Sequence, residues 1–277
     1  MKVKWYDKKI LKETLNFALF VGSILGIIAL FDNAIIPDNR TQALVISLIS
    51  IIFYYIIHLV KANVLKCISL DIMSSTFIIK EGDIFEHNSD ELNVINFNEY
   101  FDTCVDNRII AEKSLNGKFI QKYVKDINDL DCVIEQELKE IEVVENRKTG
   151  KQKRYELGEI VEYKGFLLTS LTKFDKDNRA YISLKDYLSF LMNFWNNLDK
   201  IYANRNVNIT LFGSSSLTRF TDAYEINDQD LIEIIIWSFK ISKIKFKYPT
   251  KITLVLSKDL LSKINLYKIK EMYKSGI

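Results

Sequence analysis

The chain has 277 residues, 48% of them hydrophobic and 27% charged, with a formal net charge of +2. That balance lacks the basic excess that marks a nucleic-acid binder, so nucleic acid is not expected as a partner. Three cysteines, Cys67, Cys104 and Cys132, form no C-x-x-C pair and no even-numbered set, so neither a zinc site nor a disulfide framework is expected.

Two uncharged apolar runs open the chain, residues 14–31 between Glu13 and Asp32, and residues 41–60 between Arg40 and Lys61. As helices rising 1.5 Å per residue they reach roughly 27–30 Å, about one hydrocarbon core. Two runs joined by a turn-like segment, residues 32–40, do not fit a cleaved signal peptide, which has one shorter apolar stretch. A buried helical hairpin of a soluble protein is the alternative. Gly22 and Gly26 lie four apart, the small-xxx-small spacing that lets membrane helices approach closely. His58, near the end of the second run, is expected at an interface rather than in a functional role.

The flanking charges give an orientation. Lys2, Lys4, Lys8, Lys9 and Lys12 precede the first run, and Lys61 and Lys66 follow the second, whereas the connecting segment offers Arg40 against Asp32 and Asp38. The positive-inside rule puts both termini in the cytoplasm. Residues 1–63 are therefore predicted as a two-helix transmembrane hairpin and residues 64–277 as one cytosolic domain. Few glycines, two prolines and no low-complexity run support a single compact unit there.

After the hairpin the periodicity alternates. Strands are expected at residues 67–72, 76–80, 92–97, 165–172, 207–212 and 251–256. Helices are expected at residues 128–140, 228–242 and 259–274. Another begins at a capping box of Ser183 and Asp186 and puts Leu184, Leu188, Leu191, Trp195, Leu198 and Tyr202 on one face. This succession predicts an α/β fold, a mainly parallel mixed sheet flanked by helices, with any ligand site outside the carboxyl ends of the strands.

Three features at those ends can carry chemistry. Gly213-Ser214-Ser215-Ser216-Leu217-Thr218 follows a strand directly, and its hydroxyls and successive backbone N–H groups suit an anion such as phosphate. An ordinary polar loop is the alternative, and without a GK[ST] signature ATP hydrolysis has no support. Gly82-Asp83-Ile84 ends a second strand, and Asn96 and Asn98 end a third. A carboxylate and amides there suit an adenine amino group or ribose hydroxyls, although Asp83 could equally cap a turn. The basic cluster Arg147, Lys148, Lys151, Lys153 and Arg154 reads as a solvated hairpin tip, with nucleic acid or anionic lipid as the sharper alternative.

In this order the segments resemble a macro domain, whose pattern has a GDI motif, a strand ending in a V-N-A-A-N-like segment, and a later glycine-rich phosphate loop. Here these are Gly82-Asp83-Ile84, Val94-Ile95-Asn96-Phe97-Asn98 and Gly213–Thr218. Together with Ser114-Leu115-Asn116-Gly117-Lys118-Phe119-Ile120, Tyr155-Glu156-Leu157-Gly158-Glu159 and the double span, the chain resembles the membrane-anchored macro-domain effectors of Thoeris-type antiphage defence. The resemblance implies an ADP-ribose-type ligand, with Asp83 at the adenine, Ile84 beside it in the binding motif, Asn98 at the distal ribose and Gly213, Ser214, Ser215, Ser216, Leu217 and Thr218 at the phosphates. It implies a TIR-type NAD-consuming enzyme that makes the signal, a homo-oligomer that disrupts the bacterial inner membrane, and no cofactor. The glycine run expected after the asparagine is replaced by Glu99-Tyr100-Phe101-Asp102. With that run and paired glutamates both missing, binding without turnover is expected, and a membrane-tethered ADP-ribosyl hydrolase is the alternative.

Overall fold

The computed structural model describes residues 2–31, 40–72, 75–86, 90–214, 218–222, 226–242 and 250–274. The turn-like segment 32–39 and the phosphate-loop residues Ser215, Ser216 and Leu217 lie outside the described residues. In chain order the first elements are α1 (Lys8–Phe31), α2 (Arg40–Val64), β1 (Cys67–Ile72), β2 (Ser75–Glu81), β3 (Glu91–Asn98), α3 (Leu115–Tyr123) and α4 (Ile127–Glu137). Then come β4 (Glu142–Val143), β5 (Lys153–Arg154), β6 (Ile160–Tyr163), β7 (Phe166–Phe174), β8 (Ala180–Ile182) and α5 (Leu184–Ile201). The last are β9 (Asn206–Ile209), β10 (Thr218–Phe220), α6 (Asp228–Ser242), β11 (Lys251–Leu256), α7 (Lys258–Lys263) and α8 (Leu266–Lys274). The chain divides into two compact units, Met1–Lys66 with Ser262–Ile277, and Cys67–Leu261.

In the first unit α1 packs on α2 through a stack of rings. Phe17 lies 4.1 Å from Tyr54, Tyr54 lies 4.2 Å from His58, and His58 Nδ1 meets Glu13 Oε2 at 3.2 Å. His58 thus has a charged partner within the hairpin. Gly22 and Gly26 make no close approach to α2, because a Cβ on either would meet no atom of the chain within 4 Å. Only 6% of the apolar window in α1 and 0% of that in α2 is buried, which disfavours the buried-hairpin alternative. Val3, Ile10 and Ala62 form a small buried cluster with Tyr55, Leu59 and Tyr267 against it, joined by Val3 N donating to Asn63 Oδ1 at 3.0 Å.

In the second unit the described strands form a nine-stranded sheet in the order β1-β2-β11-β9-β3-β7-β8-β10, with β6 beside β7. β2, β11, β9, β3 and β7 run parallel to one another, and β1 and β6 are antiparallel additions. Helices cover both faces. On one, α3 and α4 bring Phe119, Ile120, Leu130 and Ile134 onto Ile95, Phe97, Phe166 and Leu168. On the other, Phe194 and Trp195 of α5 meet Phe212 at 5.1 Å and Phe239 at 5.1 Å respectively, and Trp195 Nε1 donates to Ser238 Oγ at 2.9 Å. A strand can be apolar on both sides only in such a sandwich, which is why β7 is buried from Phe166 through Thr172.

Most expected elements stand where the periodicity puts them, with three differences. β9 stops at Ile209 rather than at residue 212, since β3 pairs with it only at Asn206–Asn208 and β11 only through Ile209. The last expected helix is two, because the Asn265 side chain accepts from Lys268 N at 2.9 Å and caps a new start. The basic cluster is a solvated tip only in part: on the short β4–β5 hairpin Lys148 is exposed, whereas Arg147 and Lys151 turn inward onto Asp102 and Asp131, and that docking shapes the site.

Candidate functional site

The carboxyl ends of β2, β11, β9, β3 and β7 open into one cleft of about 890 Å³. Asp83 lines it from the turn after β2, Asn96 and Asn98 from the end of β3, Gly213 and Ser214 from the loop after β9, and Thr218 from β10. Sequence segments more than a hundred residues apart are thus brought to one place, as the parallel sheet dictates. Ile84 is not at this wall. It is 4% exposed and packs in the core beneath with Ile95 and Val255.

Each polar group is held by a local device. Asp83 Oδ1 accepts from Phe85 N at 3.0 Å, so the carboxylate both caps its turn and borders the cleft. Gly213 sits at φ +78° with the Phe220 ring 3.3 Å from where a Cβ would stand, a conformation and a fit that favour glycine. The buried Tyr187 hydroxyl donates to Phe212 O at 3.0 Å and steadies that loop, and burial pushes its pKa up. Ser214 Oγ is hydrogen-bonded to Asp228 at the start of α6, so this hydroxyl is already partnered. Asn96 borders the cleft, and its Oδ1 is buried with no hydrogen-bond partner among the described residues.

Asn98 is held by its own network. Its Oδ1 accepts from Tyr100 N at 2.9 Å and its Nδ2 donates to Asp102 Oδ2 at 3.1 Å, leaving one N–H of the amide for the cleft it lines. Asp102, 1% exposed, receives Arg147 Nη2 at 2.6 Å and Nη1 at 3.0 Å, and Lys151 N at 2.8 Å. The Arg147 guanidinium also lies 3.8 Å above the Tyr100 ring and donates to Asn178 Oδ1 at 3.1 Å on the cleft rim. Lys151 Nζ reaches Phe101 O at 2.7 Å and Asp131 at 2.6 Å, and Lys153 and Arg154 pair with Glu135 and Glu142. The residues standing where a glycine run was expected, Glu99-Tyr100-Phe101-Asp102, therefore form the receptor for the β4–β5 hairpin. Phe101 takes a left-handed φ of 47° there, held between Phe97 and Tyr155. Burial raises the pKa of Glu99, against the hydrogen bond from Phe174 N and the charges of Arg154, Lys173 and Arg147.

Further lining residues were not singled out in the sequence. Arg108, Lys113, Lys118, Arg179 and Arg219 border the cleft, against Asp83 as its carboxylate among the described residues. Arg219 is paired with Asp175 at 3.8 Å, and the other four cations against one lining acid make an anion-binding potential that the net charge of the chain conceals. Ser114 caps α3 by accepting from Gly117 N at 3.1 Å, and α3 then presents its N-terminus to the same space. Gly117 is required there, because a Cβ would collide with Ala111 O. The Ser114/Gly117 spacing was a readable cap signal. The five cations, spread from residue 108 to residue 219, form no run that a sequence scan would find.

The family model described as "Thoeris protein ThsA, Macro domain" matches residues 78–257. Thoeris protein ThsA of Bacillus amyloliquefaciens (strain Y2) is 41% identical over 227 residues, covering 80% of this chain and 76% of that one. Among solved structures, a point mutant of the Oceanobacillus iheyensis macrodomain has a TM-score of 0.46 at 13% identity, over 76% of this chain and 100% of that one. A second point mutant of the same macrodomain, with ADPR, has a TM-score of 0.46 at 13% identity, over 75% and 99%.

Proposed function

This chain belongs to the Thoeris ThsA family and carries its macro domain, and from that premise we propose that it is a membrane-anchored antiphage effector that binds an ADP-ribose-derived signal. A TIR-type enzyme consumes NAD to make the signal. The liganded chains then assemble through the hairpin α1–α2 and compromise the inner membrane. Differential affinity is the physical requirement: the signal shifts the population only if it binds the assembled state more tightly than the resting one.

The observation that carries the reading is the convergence of Asp83, Asn98, Gly213, Ser214 and Thr218 on one cationic cleft. Asp83 accepts from the adenine amino group, the free N–H of Asn98 meets a ribose hydroxyl, and the loop from Gly213 to Thr218 with the cations around it neutralises the diphosphate. Binding without turnover is supported by the lining, where the carboxylate among the described residues is Asp83, itself committed to Phe85 N. Among those residues no second acid stands beside it to activate a water. Membrane anchoring is supported by two apolar helices whose outward faces the described chain leaves uncovered.

Titration of the full chain in detergent with ADP-ribose and its conjugates tests the reading. Asp83→Ala removes a hydrogen bond to a charged acceptor worth roughly 1.5–3 kcal/mol, so affinity falls about 10- to 150-fold. Asn98→Ala also weakens binding. Wild type releases no ADP-ribose from a conjugate over hours, and in cells both variants reach the membrane yet lose signal-dependent toxicity. Steady, Asn98-dependent cleavage of an ADP-ribosyl bond by wild type would establish the hydrolase instead.

A further inference from the structure

The lysines around one end of the helical hairpin differ from the other basic cluster of the chain. In the β4–β5 hairpin, Arg147, Lys151, Lys153 and Arg154 are each taken by an acid of the same unit. In the unit that contains α1, α2 and α8 the pattern is reversed. Among its described acids, Asp7 accepts from Lys9 N and Ile10 N as the cap of α1, and Glu13 is paired with His58. Lys4, Lys8, Lys12, Lys61, Lys66 and Lys263 are exposed, and none makes an ion pair among the described residues.

These lysines share one end of the hairpin. Val3 is joined to Asn63 by hydrogen bonds of 3.0 and 3.3 Å, and Val3, Ile10 and Ala62 pack together with Tyr267 of α8. That cluster ties the start of α1, the end of α2 and α8 to one place, with the lysines around it. At the same end Trp5 is 67% and Tyr6 50% exposed, edge to face at 5.4 Å, and the Tyr55 hydroxyl donates to Trp5 O. Amphipathic rings beside ammonium groups that no carboxylate pairs, with Lys4 Nζ 5.4 Å from the Tyr6 ring, at the foot of two uncovered apolar helices, match the headgroup layer of a bilayer.

We propose that Lys4, Lys8, Lys12, Lys61, Lys66 and Lys263 form a collar that binds the anionic headgroups of glycerophospholipids such as phosphatidylglycerol. The inference rests on the membrane reading above and adds the lipid class that the anchor selects. Bilayer insertion itself needs only the apolar faces of α1 and α2, whereas the collar makes the surrounding lipid shell richer in anionic lipid than the bulk.

The test uses the full chain, reconstituted into phosphatidylcholine vesicles with trace spin-labelled phosphatidylglycerol, then with spin-labelled phosphatidylcholine. The measured quantity is the preference of the motionally restricted lipid for one headgroup over the other. The expected preference for phosphatidylglycerol at low salt is about fivefold, the equivalent of one lysine–headgroup contact at ~1 kcal/mol. It falls toward unity at high salt, where the screening length shrinks to about 3 Å. Substituting all six lysines by glutamine also brings it to unity while the chain still floats with the vesicles. Salt titration of wild type stands on its own if that variant fails to fold. A wild-type preference of unity, a preference insensitive to salt, or one kept by the folded six-glutamine variant overturns the collar alone. A wild-type chain that floats with neither vesicle overturns the membrane reading and the collar together.

Discussion

Arg147→Ala removes the cation that holds the β4–β5 hairpin against the wall of the cleft. In the wild type Asp102 is 1% exposed and is met by both Nη atoms of Arg147, at 2.6 and 3.0 Å. Without the guanidinium the carboxylate stays buried, with Asn98 Nδ2 and Lys151 N as its remaining donors. Stranding one member of a buried pair costs about 3–5 kcal/mol, a large share of the roughly 5–15 kcal/mol that stabilises a typical domain. Asp102→Asn keeps the shape but strands the guanidinium, which is 9% exposed, and turns an amide N–H onto donors that both carboxylate oxygens now accept from, so its cost falls in the same range of about 3–5 kcal/mol. Removing both charges together, as Asp102→Leu with Arg147→Met, leaves no buried charge unpaired and costs less than Arg147→Ala alone. Denaturant unfolding of the full chain in detergent measures all three. The buried Trp195 emission shifts to the red on unfolding, while the already exposed Trp5 and Trp237 contribute a nearly constant background. Because Asp102 also orients Asn98, Arg147→Ala weakens ADP-ribose binding even where the chain stays folded. A cost below about 1 kcal/mol for Arg147→Ala, or a double variant as damaged as the sum of its parts, would refute the reasoning.

Glu99→Gln changes the pH dependence of stability. Burial raises the folded-state pKa of Glu99 above its ordinary 4.5, so stability from its protonated form is full below that value and lost as pH rises through the raised one. The variant therefore gains on wild type between mild acid and neutrality, and a loss over that interval contradicts the buried environment. Gly117→Ala drives a Cβ into Ala111 O and lowers stability by about 1–3 kcal/mol, while shifting the loop that lines the cleft. A wild-type melting temperature in that variant would show that the contact relaxes freely. Reporters fused at either terminus behave as cytoplasmic and one inserted within residues 32–39 as external, and the opposite pattern reverses the orientation drawn from the lysines.

What the sequence determined by itself was set by short-range periodicity and local chemistry. The uncharged runs within α1 and α2, the alternation in β1 and β3, the two-sided apolar stretch of β7 and the Ser183 cap of α5 are all local patterns, and each element stands close to its expected place. The order of Gly82-Asp83-Ile84, the β3 asparagines and the Gly213 loop was likewise readable, because strand ends carry their ligands in the residues next to them. The tertiary structure decided which charges are free. Arg147 and Lys151 read as a solvated tip along the chain, yet Asp102, 45 residues from Arg147, and Asp131, 20 from Lys151, pair with them. Arg108, Arg179 and Arg219 are unremarkable along the chain, yet strand order brings them to one cleft. Local pattern can specify an element because its hydrogen bonds close within a few residues. Coulombic partners are chosen by proximity in space, and that is fixed only when the sheet has assembled.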